Sequence, residues 1–280
     1  MNNTLPGKPD VLRELFKPLK PVIGMIHLRP LPGSPRYEAD SLPEVRECAL
    51  RDASALQAGG VDGFMVENAW DLPFLKPDEI GHETVASMAV LVRELAERFD
   101  LPIGVNCLAN SVQSAIAIAQ AGGASFVRAN EWANAYIANE GLIESPAARA
   151  LRYRSALKAD NIRIFADAHV KHGAHAIVAD RSLADLVQDV EFFDADAVIA
   201  SGSRLGDETP LEDAQLIKGA THLPVLIGSG LTASNVAKLF AVADGAIIGT
   251  SIKEGAVWWG AVDAERVRGV MEAVRRVRGA

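Results

Sequence analysis

Short apolar runs alternate with amphipathic stretches eight times between Val22 and the end of the chain. This alternation predicts an α/β fold, a single (β/α)8 TIM barrel over residues 1–280 with its active face at the strand C-termini. Two further observations point the same way. Turns from helix to strand are short, as in "AGGVD" and "VADG", whereas the loops at 29–42, 69–80, 131–144 and 202–210, each from strand to helix, are long. In a barrel the long loops all fall on one face, where the active sites of this fold sit. A helix–turn–strand pattern also recurs in "LQAGGVDGFMV", "AQAGGASFVRA" and "AVADGAIIG". The competing doubly wound sheet would carry a G-x-G-x-x-G fingerprint, and "GMIHLRPLPG" is not one.

The elements follow in order. Residues 1–20 lack the basic-then-apolar order of a signal peptide and are read as an extension placed to cap the barrel bottom. The first strand, 22–28, puts Met25 and His27 on one face. The loop after it holds Pro30, Pro32 and Pro35, whose rigidity predicts a fixed wall of the site. A helix at about 43–58 leads to the strand 63–68, where Met65 and Glu67 point inward and Asn68 follows. In "GHET", Ala86 stands where the second histidine of H-E-x-x-H is due, so His82 and Glu83 are read as a helix start at 81–98. Strand 102–107 ends near Asn106, and helix 111–121 leads to strand 125–130, with Phe126 and Arg128 inward and Asn130 at the end. Gly59, Gly60, Gly122 and Gly123 suit helix C-caps.

After a helix at 145–159, strand 162–169 aligns Phe165, Asp167 and His169 on one face, and Lys171 and His172 follow at once. Helix 182–193 precedes strand 197–201, whose Ile199 and Ser201 face inward. Ser203 lies in a loop, 202–210, read as a lid or a capping segment. Helix 211–219, strand 224–228, helix 232–242 with Thr232 and Ser234 as N-caps, strand 245–249 and helix 263–278 complete the series.

Chemistry concentrates at the predicted mouth. Gly228, Ser229 and Gly230 end the seventh strand and Gly249, Thr250 and Ser251 the eighth; together they predict a phosphate cradle of backbone N–H groups. Lys253 is read as an extra contact to the anion or, sooner, as a surface lysine. An Asp167–His169 pair is a standard acid/base arrangement, with His27, Glu67 and Lys171 as further catalytic candidates. Asn68, Asn106, Arg128, Asn130, Ser201 and Ser203 are candidates for substrate contacts, Arg128 meeting a carboxylate or second anion, or pairing with Glu67 or Asp167. No local spacing is diagnostic of a metal, although His27, Glu67, Asp167 and His169 could assemble a divalent-cation site in space.

Composition sets outer bounds. A chain that is 49% hydrophobic with net charge -8 buries a full core and does not read as a general nucleic-acid binder. Two cysteines, Cys48 and Cys107, give no disulfide framework and point to a reducing, cytoplasmic location. No apolar run reaches the roughly 20 residues of a membrane span. "GAVWW", Gly255–Trp259, reads either as core or as the interface of a homo-oligomer.

"VIGMIHLRPLPGSPRY", "VENAWDLPF", "FADAHVKHGAH" and the pair "LIGSGLTASNV" and "GAIIGTSIK" resemble the BtpA/SgcQ family from about Val22 to the last helix. That resemblance implies a (β/α)8 barrel. Its naming branch is associated with photosystem I biogenesis as a membrane-peripheral factor, and its other branch accompanies sugar-uptake genes. The family pattern has a lysine-bearing "GKATG"-like segment after strand six; here Ser203 and Arg204 stand in "GSRLGDETP". The expected function is an enzyme for a small phosphorylated sugar or phosphoribosyl compound. The alternatives are a non-catalytic assembly factor and a phosphate-ester-binding barrel without turnover.

Overall fold

Inward side chains of eight parallel strands build the centre of the molecule. The computed structural model describes residues 7–202 and 206–279. Its barrel strands are β1 (Val22–His27), β2 (Gly63–Glu67), β3 (Ile103–Asn106), β4 (Phe126–Ala129), β7 (Arg163–Asp167), β8 (Ala197–Ala200), β9 (Val225–Ile227) and β10 (Gly245–Ile248). They close in the order β1-β10-β9-β8-β7-β4-β3-β2, a (β/α)8 barrel as the alternation predicts. Helices α2 (Leu42–Gly59), α3 (His82–Arg98), α4 (Val112–Gly122), α5 (Ala147–Ala156), α6 (Leu183–Phe192), α7 (Leu211–Ala220), α8 (Val236–Phe240) and α9 (Ala264–Arg278) intervene.

Register aligns the interior in layers. Met25 lies beside Met65, and Met65 beside Gly104. A methyl on Gly104 would overlap the Phe126 ring, so this glycine makes room for an aromatic filler that stacks on Phe165 at 4.6 Å. One layer higher, His27 pairs with Glu67, and Glu67 with Asn106. The apolar layers thus support a polar rim at the strand C-termini, as the two-residue period of a strand dictates.

Before β1, Asp10 caps the short helix α1 (Val11–Leu15) by accepting from the N–H groups of Leu12 and Arg13. Val11, Leu12 and Phe16 join the same apolar cluster as Met25, Met65 and Phe126. The Phe16 ring meets Phe126 edge-on at 5.9 Å. Gly60 and Gly123 are the left-handed C-caps of α2 and α4, whereas Gly59 and Gly122 are the last helical residues.

Four departures from the sequence reading have physical causes. The loop 131–144 contains a hairpin, β5 (Ala135–Ala138) and β6 (Gly141–Glu144), turned at Asn139–Glu140 with Gly141 at φ 99. Helix α8 is only five residues long, so Thr232 and Ser234 are not its N-caps; Asn235 precedes it and takes the Thr232 N–H on its Oδ1 at 2.8 Å. The fifth barrel strand ends at Asp167, two residues short of His169. Lys253 is not a surface residue: its side chain is 1% exposed, its Nζ donates to the Gly260 carbonyl at 3.1 Å and it pairs with Asp52 at 3.7 Å.

Candidate functional site

A cavity of about 640 Å³ opens at the C-terminal ends of the strands. Its polar lining includes His27, Glu67, Arg128, Asn130 and Lys171, together with Gly228–Thr232 and Gly249–Ser251. Apolar groups from the loops complete it, notably Phe74, Leu108, Tyr136 and Trp258.

At the glycine-bearing strand ends, the N–H groups of Ser229, Gly230, Thr250 and Ser251 donate to no group among the described residues. Gly230 takes φ 72, and a methyl there would stand 2.5 Å from the Asp207 carbonyl oxygen. Residues after the undescribed 203–205 therefore pack tightly on this turn. Thr209 fixes them there, its hydroxyl donating within 3.1 Å of the Ala200 carbonyl and 3.2 Å of that of Ser229. One glycine end adjoins a catalytic candidate and the other a candidate for substrate contact. A methyl on Gly249 would lie 3.7 Å from His27 Cε1, and one on Gly228 would lie 2.7 Å from Ser201 Oγ.

His27 has a fixed tautomer. Its Nδ1 lies 2.9 Å from the Trp258 carbonyl oxygen, which can only accept, so Nδ1 carries the proton and Nε2 presents a lone pair. Burial and the nearby Lys253 charge push His27 down to about 4, against the Glu67 carboxylate, so it is neutral at pH 7. Glu67 Oε1 stands 3.7 Å from that Nε2, and its Oε2 accepts from Asn106 Nδ2 at 2.6 Å.

Asp167 is committed to Arg128. The guanidinium donates through Nε and Nη2 to its two oxygens, each at 2.8 Å, and Ser201 Oγ donates to Oδ1 at 2.6 Å. Its side chain is fully covered. Asp167 thus holds Arg128 in place in preference to offering a free base. His169 is exposed, stacks on His175 at 3.6 Å and does not line the cavity. The strict alternation of a strand no longer governs it once β7 ends, so the expected Asp167–His169 couple does not form.

Lys171 does enter the cavity. Burial pushes its ammonium down to about 8, the Arg128 charge adds to the shift, and the Asp167, Glu67 and Asp207 carboxylates oppose it. Glu131, close by in charge to Asp167, is pushed up to about 8 chiefly by burial. Among the described residues no group of three or more His, Cys, Asp or Glu side chains could hold a metal ion, so the carboxylate–histidine set of the sequence reading is not assembled.

Other predicted contacts divide. Asn130 lines the cavity with its Oδ1 unsatisfied. Asn68 is structural: it bonds Asp71 Oδ2 at 3.1 Å and takes the Leu108 N–H at 2.7 Å. Asn106 and Ser201 lie behind the lining, bound to Glu67 and Asp167. Ser203 and Arg204 lie outside the described residues. The proline-rich loop after β1 is not a wall of the cavity. Instead Leu31 is fully buried, its N–H donates to Asp71 Oδ1 at 2.8 Å, and Arg29 stacks over Trp70 at 4.7 Å. Trp70 in turn meets Trp258 at 5.1 Å, so the loop braces the wall from outside.

Sequence reading missed the contributions of the hairpin. Tyr136, Ala138, Asn139 and Glu140 line the cavity. The signal was there: "YI" and "LI" flank "NEG", a short turn between β-formers. Trp258 of "GAVWW" lines the cavity, and Trp259 is 51% exposed. No helix among the described residues is long and apolar enough to cross a membrane.

Comparison with known proteins places this geometry. An uncharacterized protein of Archaeoglobus fulgidus is 42% identical over 91% of this chain and 99% of its own length. The photosystem I biogenesis protein BtpA of Synechocystis is 38% identical over 94% of this chain and 91% of its own. Among solved structures, the geranylgeranylglyceryl phosphate synthase of Thermoplasma acidophilum, in complex with sn-glycerol-1-phosphate, superposes with a TM-score of 0.58 at 16% identity, covering 92% of this chain and 94% of that one. That likeness is one of fold. The BtpA family model matches residues 18–276, and the chain belongs to the BtpA family.

Proposed function

We propose that this barrel is an enzyme acting on a small phosphorylated sugar or phosphoribosyl-type compound, through lyase, isomerase or epimerase chemistry of the acid–base kind. One observation carries the reading. The glycine turns after β9 and β10 share a single cavity with His27, Glu67 and Arg128. Free N–H groups at such turns suit a phosphate, and the last two units are a frequent place for one in this fold. In this reading His27 accepts a proton at Nε2 and Glu67 is its complement. Arg128, held by Asp167, meets a second polar or anionic group through its remaining nitrogen.

Ribose 5-phosphate should raise the melting temperature where ribose does not, and Ser229→Asp, which puts a negative charge in the cradle, should abolish the shift. A wild-type chain indifferent to phosphate esters would end this reading. The name of the Synechocystis relative, a photosystem I biogenesis protein, supports a second one, an assembly factor; that this factor is non-catalytic and membrane-peripheral is our own extension. Flotation with liposomes, combined with an absence of turnover across a phosphosugar screen, would favour it. Ester binding without turnover or flotation would mark a binding barrel.

A further inference from the structure

We propose that Lys171 is a covalent site, its Nζ forming a Schiff base with the carbonyl carbon of a phosphorylated aldose or ketose held in the cavity. The inference rests on the phosphate reading above, since the cradle would orient the carbonyl. It goes further in naming a bond and the residue that makes it.

Most other ionisable groups of the lining are occupied. Arg128 is taken by Asp167, His27 Nδ1 by the Trp258 carbonyl, and Glu67 by Asn106. Lys171 lines the same cavity and has no hydrogen bond or ion pair among the described residues. An ammonium brought into a cavity without a fixed partner is costly to keep unless something reacts with it or binds it.

Its presentation is also rigid. Val170, immediately before it, is buried in a cluster with Tyr136 and Ile143 of the hairpin. Two residues beyond it, Gly173 abuts the Tyr136 ring. Ala174 then exchanges backbone hydrogen bonds with Ile137, at 2.8 and 3.0 Å. The loop bearing Lys171 is thus fastened to the hairpin on both sides of the lysine. A nucleophile gains from being held in position before its partner arrives.

The electrostatic setting suits an amine. Burial and Arg128 bring Lys171 down to about 8, so roughly a tenth is uncharged at pH 7. The neutral Nζ adds its lone pair to the carbonyl carbon, and a proton passes from nitrogen to the carbonyl oxygen to give the carbinolamine. The hydroxyl then takes a second proton and leaves as water, which leaves a positively charged C=N bond. His27, whose Nε2 is a bare acceptor, lines the same cavity and would relay one of these protons.

The test is reductive trapping. Wild-type protein, Lys171→Arg and Lys171→Met are treated with dihydroxyacetone phosphate and sodium borohydride, and the adduct is located by peptide mass spectrometry. Borohydride supplies the hydride that fixes the C=N bond. The expected adduct on Lys171 adds the mass of the probe less one oxygen. Inorganic phosphate should suppress it, and both folded variants should lack it. Melting curves recorded on each variant separate loss of reaction from loss of folding. Lys171→Arg keeps the positive charge, so retained ester binding without adduct distinguishes a nucleophile from a simple cation. No adduct at Lys171, while phosphate esters still shift the wild-type melting temperature, overturns this inference and leaves the phosphate reading standing. Equal labelling by unphosphorylated dihydroxyacetone overturns the proposal and the phosphate reading together.

Discussion

At the residue scale, His27 makes a definite contribution to how the molecule responds to acid. An unfolded histidine binds its proton near pH 6.5, whereas folded His27 resists protonation until about 4. Between those values protons favour the unfolded chain. The contribution of His27 to stability is therefore full above about pH 6.5 and is lost as pH drops toward 4, a loss of about 3 kcal/mol. His27→Gln, which cannot titrate, should flatten that limb in urea melts taken across this range. An acid limb unchanged in the variant would mean that other groups carry it. His27 and Glu67 were legible in the sequence because strand alternation fixes which way they point. His169 was misplaced because the alternation ran past the real end of β7. The Arg128–Asp167 pair was one of the alternatives open to Arg128; alternation turns both side chains inward but does not choose between Asp167 and Glu67, and the choice falls on a contact 39 positions apart.

Elements differ in how plainly they announce themselves. The barrel strands were readable because each is a compact apolar run between turn residues, a signal that does not depend on distant contacts. The β5–β6 hairpin was harder: it is short, one of its faces stays exposed at Ile137 and Leu142, and its stability comes from Val170 and Ala174 across the mouth. Helix α8 was overestimated, since "TASN" closes on itself through Asn235 before the helix begins. The segment carrying α1 offers a clean experiment. Phe16 is buried against Phe126, far along the strands from the glycine turns. Phe16→Ala should cost about 3–5 kcal/mol in denaturant unfolding. Ribose 5-phosphate affinity, measured at a temperature where the variant is folded, should be unchanged.

On the scale of the whole molecule, closure depends on the last helix. Val267, Val270, Met271 and Val274 of α9 are buried in the outer core. Val267 lies where a side chain on Gly59 would be, so α2 and α9 pack in close contact. Four such side chains contribute on the order of 8 kcal/mol, as much as a typical domain has in all. A chain ending at Gly260, which keeps all eight strands, should therefore show no cooperative thermal transition by circular dichroism; a sharp one would show that the barrel stands without its last helix. Arg278 extends this closure to the other end of the molecule. Its Nη2 donates to the Lys20 carbonyl at 2.9 Å, and the same guanidinium pairs with Asp62, so the end of α9 lies beside the entries to β1 and β2. Whatever is joined after α9 therefore emerges on the side opposite the cavity. Anchored to a sensor chip or a bead through its C-terminus, the barrel would stand with its mouth turned to the solution, open to ligands passing overhead.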